Sequence, residues 1–195
     1  MGVSVERLQG RALTDALDAL AALRIAVFAD FPYLYEGDAG YEREYLREFA
    51  SEPGSVFVAA TDGERIVGAA TASPMAGQKA EFRRPFEERG HDIARLFYFG
   101  ESVLLPAYRG QGIGHAFFDL REAAARVAGA THACFCAVVR AEDDPRRPAA
   151  YHPLDDFWRG RGYEKSSGLT TLLDWKTHDS ADEIAHAMQF WIGAL

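Results

Sequence analysis

Leu104-Leu105-Pro106-Ala107-Tyr108-Arg109-Gly110-Gln111-Gly112-Ile113-Gly114-His115 joins an apolar run to a helical one. Residues 103–105 read as the end of a strand, and residues 116–128 carry a helical pattern. Glycines at 110, 112 and 114 let the backbone approach a bulky group with no Cβ in the way. The free N–H groups at the start of the helix then point at that group, and the helix dipole favours an anion there. The segment therefore predicts a phosphate site on a strand–loop–helix junction.

Three glycine-rich loops compete for it. A Walker A loop ends in Gly-Lys-Ser/Thr, but here His115 and Ala116 follow Gly114. A dinucleotide fingerprint counted from Gly110 and Gly112 needs a small residue where His115 stands; counted from Gly112 and Gly114 it needs one where Phe117 stands. Arg/Gln-x-x-Gly-x-Gly/Ala is met by Arg109, Gly112 and Gly114, with Pro106 and Tyr108 ahead of it. This loop resembles the pyrophosphate loop of the GNAT superfamily of acyl-CoA-dependent N-acyltransferases. The resemblance runs through residues 55–175 and includes the later Phe157-Trp158-Arg159-Gly160-Arg161-Gly162-Tyr163 segment.

The resemblance implies acetyl-CoA as co-substrate, held by Arg109, Gly110, Gln111, Gly112, Ile113, Gly114 and His115. It further implies that Ser102, Val103 and Leu104 offer backbone groups to the pantetheine arm, with an N–H near Val103 polarising the thioester carbonyl. Glu101 stands where many members carry an acid, and would take the proton that an amine must lose before attack. The plainer reading of Glu101 is a rim carboxylate paired to Arg95 or Arg109. The proton donor of many members, a tyrosine, falls at Trp158, whose indole N–H is a hydrogen-bond donor but no usable acid; Tyr151 and the neighbouring His152 are the candidate substitutes, with Tyr151 taken first, and many members work without a dedicated acid. Phe31, Tyr33, Tyr35 and Glu36 occupy the segment that commonly lines the acceptor pocket, and aromatic faces with an acid suit a cationic amine. Glu142, Asp143 and Asp144 read as a solvated charge run, while Arg146 and Arg147 are candidates for phosphate contact.

The chain has 195 residues, enough for one domain with a real core. Its net charge of −8 argues against a nucleic-acid or anionic-membrane binder. No apolar run approaches a membrane span, residues 1–10 lack a secretory pattern, and the two cysteines sit one residue apart in a strand, so a cytoplasmic protein with reduced thiols is expected. His132, Cys134 and Cys136 share one strand face, which is a poor metal signal, and no metal is expected. No thiol-nucleophile motif surrounds the cysteines, which favours direct transfer to the amine of a small molecule or peptide.

Alternation and helical stripes give a strand at 3–8, helices at 13–28 and 41–49, and an irregular aromatic segment at 30–40. A hairpin at 55–73 turns on Asp62-Gly63, a helical run covers 80–89, and a long strand covers 93–105. After the glycine loop and its helix come strands at 132–139, 163–175 and 187–192, with one or two helical turns at 154–161. That order predicts an α/β (α+β) single domain over residues 1–195, with a central mixed sheet and helices on both faces. The GNAT resemblance adds that the sheet is mostly antiparallel. Met188-Gln189-Phe190-Trp191-Ile192 is the candidate interface of a homodimer. Two other readings stay open: an acyl-CoA sensor without turnover on the same fold, and a nucleotide-binding domain using the glycine loop.

Overall fold

A computed structural model describes residues 2–195. Its chain order is β1 (Ser4–Leu8), α1 (Gly10–Phe28), α2 (Ala39–Ser51), β2 (Val56–Asp62), β3 (Arg65–Pro74), α3 (Ala80–Glu87), β4 (Leu96–Leu104), α4 (Ile113–Val127), β5 (His132–Val138), α5 (Asp155–Gly160), β6 (Glu164–Lys176) and β7 (Glu183–Ala194). The strands form one seven-stranded sheet among the described residues, in the order β1-β2-β3-β4-β5-β7-β6. Only β4 and β5 run parallel; every other neighbouring pair is antiparallel. The mixed, mostly antiparallel sheet is the expected one.

Strand alternation divides the core into two faces. Val58, Ala60, Phe97 and Phe99 pack with Phe117 and Phe118 of α4. On the other face Phe57, Ala69 and Val103 meet Leu20 and Leu23 of α1 and Leu46 and Phe49 of α2. The apolar stripe of α1 explains its burial, and Asp38 starts α2 by accepting the Tyr41 N–H at 2.8 Å.

One detail of β4 breaks the alternation. Phe99 and Val103 are four residues apart and should share a face, yet they lie on opposite faces. The cause is a bulge: the β3–β4 register passes from Ala72↔Phe99 to Ala70↔Ser102, so Thr71 stands opposite both Gly100 and Glu101. Gly100 is required there, because a Cβ would come within 2.5 Å of Thr71 Oγ1. Arg121 of α4 fills the resulting gap. Its guanidinium donates to Thr71 O and Glu101 O, each at 3.3 Å, and to Phe117 O at 3.1 Å. It also lies over the Phe99 and Phe118 rings. Burial lowers the Arg121 pKa to about 10, so the side chain keeps its charge at neutral pH.

Two expectations change. β7 begins at Glu183 rather than 187, because its polar first residues pair along β6 as far as Lys176. Met188–Ile192 is not a free surface: β7 lies between β5 and β6, and Met188, Phe190 and Trp191 are buried within the chain. No helix among the described residues is long and apolar enough to cross a membrane.

Arg121→Ala should remove the donors that satisfy two carbonyls of the bulge and leave a cavity. Urea denaturation should show a loss of about 2–4 kcal/mol, and a loss below about 0.5 kcal/mol, the range of ordinary surface substitutions, would show that the bulge does not need it.

Candidate active site

The glycine loop sits where the sequence puts it. β4 ends at Leu104, a 3-10 turn covers Pro106–Tyr108, and α4 starts at Ile113. Gly110 and Gly112 have φ of +74° and +82°, the left-handed region that glycine alone enters freely. A Cβ at either would meet nothing within 4 Å, so the space above them is open. Gly114 serves packing instead, since a Cβ there would stand 3.3 Å from the Phe157 ring. The loop is braced from within: Arg109 Nε donates to Leu104 O, Gln111 Nε2 to Ala107 O, and the Tyr108 hydroxyl to Asp62. No side chain among the described residues caps α4, which leaves the N–H groups of its first turn for an anion.

β4 and β5 pair only from Leu96↔His132 to Tyr98↔Cys134, and beyond that they part. The far half of β4 therefore keeps one unpaired edge leading into the glycine loop. Leu105 N–H bonds Val67 O, and the register Val103↔Ala69 then turns the backbone of Val103 toward β3. This corrects the sequence reading for Val103: Ser102 and Leu104 present backbone groups to the free edge, and Val103 does not.

On the other side of the bulge lies a buried polar cluster. Arg24 of α1 donates through Nε to Glu42 of α2 at 2.5 Å and pairs through Nη1 with Glu101 at 2.6 Å. The second Glu42 oxygen accepts the Tyr35 hydroxyl at 2.8 Å. Burial works against the Arg24 charge, but Glu101, Tyr45 and Glu42 outweigh it and hold the group above its ordinary pKa. The partner of Glu101 is thus Arg24, and neither Arg95 nor Arg109. Sequence reasoning missed Arg24 because it sits in the apolar stripe of a helix far away in the chain.

Phe31, Tyr33, Tyr35 and Glu36 line the same cleft as Glu101 and the glycine loop. Their segment is fixed by hydrogen bonds. Arg140 donates to Pro32 O and Tyr33 O, Trp175 Nε1 donates to Tyr33 O, and Glu36 N–H bonds Lys176 O. The Tyr33 ring lies between Phe28 at 4.7 Å and Trp175 at 5.8 Å. The Glu36 carboxylate pairs with Lys176.

The acetyltransferase (GNAT) family model matches residues 20–150, about two thirds of the chain and the span that holds the second half of α1, the bulge and the glycine loop. The chain belongs to the GNAT family. No curated protein matches it. Among solved structures, the ribosomal-protein-alanine N-acetyltransferase of Brucella melitensis is 15% identical, with a TM-score of 0.64 over 98% of this chain and 99% of that one. The yncA acetyltransferase of Salmonella typhimurium, solved with acetyl-CoA, is 10% identical, with a TM-score of 0.62 over 100% and 95%. The paiA N-acetyltransferase of Thermoplasma acidophilum, solved with coenzyme A, is 11% identical, with a TM-score of 0.56 over 100% of both chains.

Against the GNAT pattern, Trp158 is a half-buried aromatic at the edge of the core and of the cleft, packed on Phe135 and Trp191 with ring centroids 5.0 Å apart in both cases. Tyr151 lines the cleft with its ring edge-on to Phe31 at 4.7 Å and Arg147 over its face, and burial raises its pKa. Arg146 is not available to a phosphate, because it pairs with Asp144 at 2.7 Å and Asp179 at 3.1 Å. Asp144 is accordingly not part of a solvated run; hydrogen bonds from Arg146 hold its carboxyl well below the usual range. Cys134 and Cys136 are buried thiols, and burial pushes Cys136 up to about 12.

Arg24→Met should leave Glu42 buried without its counter-ion. Unfolding free energy should fall by about 3–5 kcal/mol by urea denaturation, with Arg24→Lys recovering more than half; equal losses in both would show that charge is not what Arg24 supplies.

Proposed function

We propose that this GNAT chain is an N-acetyltransferase that moves an acetyl group from acetyl-CoA to a primary amine by direct transfer in a ternary complex. One observation carries the reading: the unpaired edge of β4 runs from the acid at the bulge straight into an uncapped, glycine-lined helix start, all on one cleft. The donor set fits the group. Open space above Gly110 and Gly112, together with the first-turn N–H groups through His115, suits a pyrophosphate, and the β4 edge suits an amide-bearing arm. The coenzyme A and acetyl-CoA held by structural neighbours support the same assignment.

Bound acetyl-CoA would supply an activated acyl carbon and a thiolate leaving group. Leu104 or Ser102 N–H, on the free edge, would stabilise the charge that develops on the carbonyl oxygen. Glu101 takes the amine proton, directly or through water, while Arg24 fixes its carboxylate. Tyr151 is the candidate donor to the thiolate, and burial keeps its hydroxyl protonated. Both thiols are raised by burial, which disfavours an acyl-cysteine route. Acceptor binding falls to the Phe31–Glu36 side of the cleft. Trp158 in the usual tyrosine position favours a second reading, an acyl-CoA-binding module without turnover.

Acetyl-CoA binding measured by calorimetry should be lost in Gly112→Glu, which places a carboxylate over the anion cradle. A thiol-release screen of amines should find turnover in the wild type and a loss of about 100-fold or more in Glu101→Gln. Absence of binding by the wild type would overturn the family-based reading, and binding with no turnover on any amine would establish the sensor.

A further inference from the structure

Arg24, Glu42 and Glu101 bring two carboxylates and one guanidinium together, with side chains 12%, 1% and 8% exposed. The three side chains include one more carboxylate than guanidinium, and Arg121, the next cation, bonds Glu101 through its carbonyl rather than its carboxylate. Glu42 is saturated, since one oxygen accepts from Arg24 and the other from Tyr35. Glu101 is not: Oε1 meets Arg24 Nη1, while Oε2 has no hydrogen-bond donor among the described residues. The open acceptor of the cluster is thus a single oxygen of a cleft-lining residue.

Rings line the same cleft. Phe28, Tyr33 and Trp175 form a continuous run, and Phe31 and Tyr151 a second pair, all lining the cleft. The hydroxyls of Tyr33 and Tyr45 have no protein partner among the described residues, and burial raises the pKa of both, so they remain neutral. The carboxylate of Glu36, on the same segment, is already neutralised by Lys176.

We propose that the acceptor is a primary ammonium on a flat apolar body, an arylalkylamine, with its charge at Glu101 Oε2 and its ring against Phe28, Tyr33 and Trp175. The inference rests on the acceptor-side reading above and narrows it. The ammonium donates to the oxygen that Arg24 leaves open, and the ring faces add cation–π and apolar contact. An aminosugar or a polyamine carries hydroxyls or further charges that the Phe28 and Trp175 faces do not complement, and both are arms of the test.

The test is calorimetric titration of 2-phenylethylamine, 2-phenylethanol, spermidine and kanamycin into the protein, both alone and saturated with coenzyme A. 2-Phenylethylamine should bind about tenfold or more tighter than the alcohol, which is about 1.4 kcal/mol. Glu101→Gln should abolish that preference, and Phe28→Leu should weaken the amine several-fold while leaving spermidine unchanged. Tighter binding of spermidine or kanamycin, or an amine preference that survives in Glu101→Gln, would overturn the proposal. Coenzyme A binding with thiol release on some other amine, but no 2-phenylethylamine binding, defeats the acceptor class alone. Failure to bind coenzyme A defeats the acetyltransferase reading, and the titration into the coenzyme-free protein still decides the acceptor.

Discussion

The extra residue at Gly100–Glu101 changes which way β4 faces, and the rest of the site is arranged around that change. Before the bulge Phe99 points at α4; after it Val103 points at α1 and α2. Glu101 sits at the turnover and is held at three points. Its N–H meets Thr71 Oγ1, its carbonyl accepts from Arg121, and its carboxylate pairs with Arg24. Helices on opposite faces of the sheet thus grip the same residue, one by its backbone and the other by its side chain. A carboxylate fixed in this way needs little reorganisation when a ligand arrives.

The two arginines that do this are solved differently. Arg121 is 1% exposed and forms no salt bridge among the described residues; carbonyl oxygens and two ring faces are its direct contacts, with Glu101 and Glu122 acting on it at longer range. Arg24 lies between two carboxylates. Buried ions seldom add net stability over a well-packed apolar replacement. Their value here is geometric: the bulge exposes carbonyls that strand pairing no longer satisfies, and a guanidinium reaches several at once.

Much of the fold was legible because local chemistry fixed it. Asp62-Gly63 between alternating runs marked the β2–β3 hairpin, and the stripe of leucines marked α1. The glycine loop was read correctly in place, although Gly114 is there for Phe157 rather than for backbone freedom. The bulge was not legible. Alternation counted through Phe97–Val103 places Glu101 beside Phe99, facing α4, and only Gly100 hinted at a break. The Arg24–Glu101 pair and the insertion of β7 between β5 and β6 depend on chain-distant pairing, which no local pattern encodes. For that reason Met188–Ile192, an apolar run near the end of the chain, looked like a surface.

Arg140 and Trp175 both donate to the carbonyl of Tyr33, Arg140 approaches His186 Nδ1 at 3.1 Å, and His186 stacks on Trp175 at 3.7 Å. The aromatic wall is therefore ordered when the β6–β7 hairpin forms, and the entropy of ordering it is lost at folding rather than at binding. The hairpin and the wall behave as one cooperative unit. A change that loosens the hairpin should therefore reach the cleft as weakened affinity.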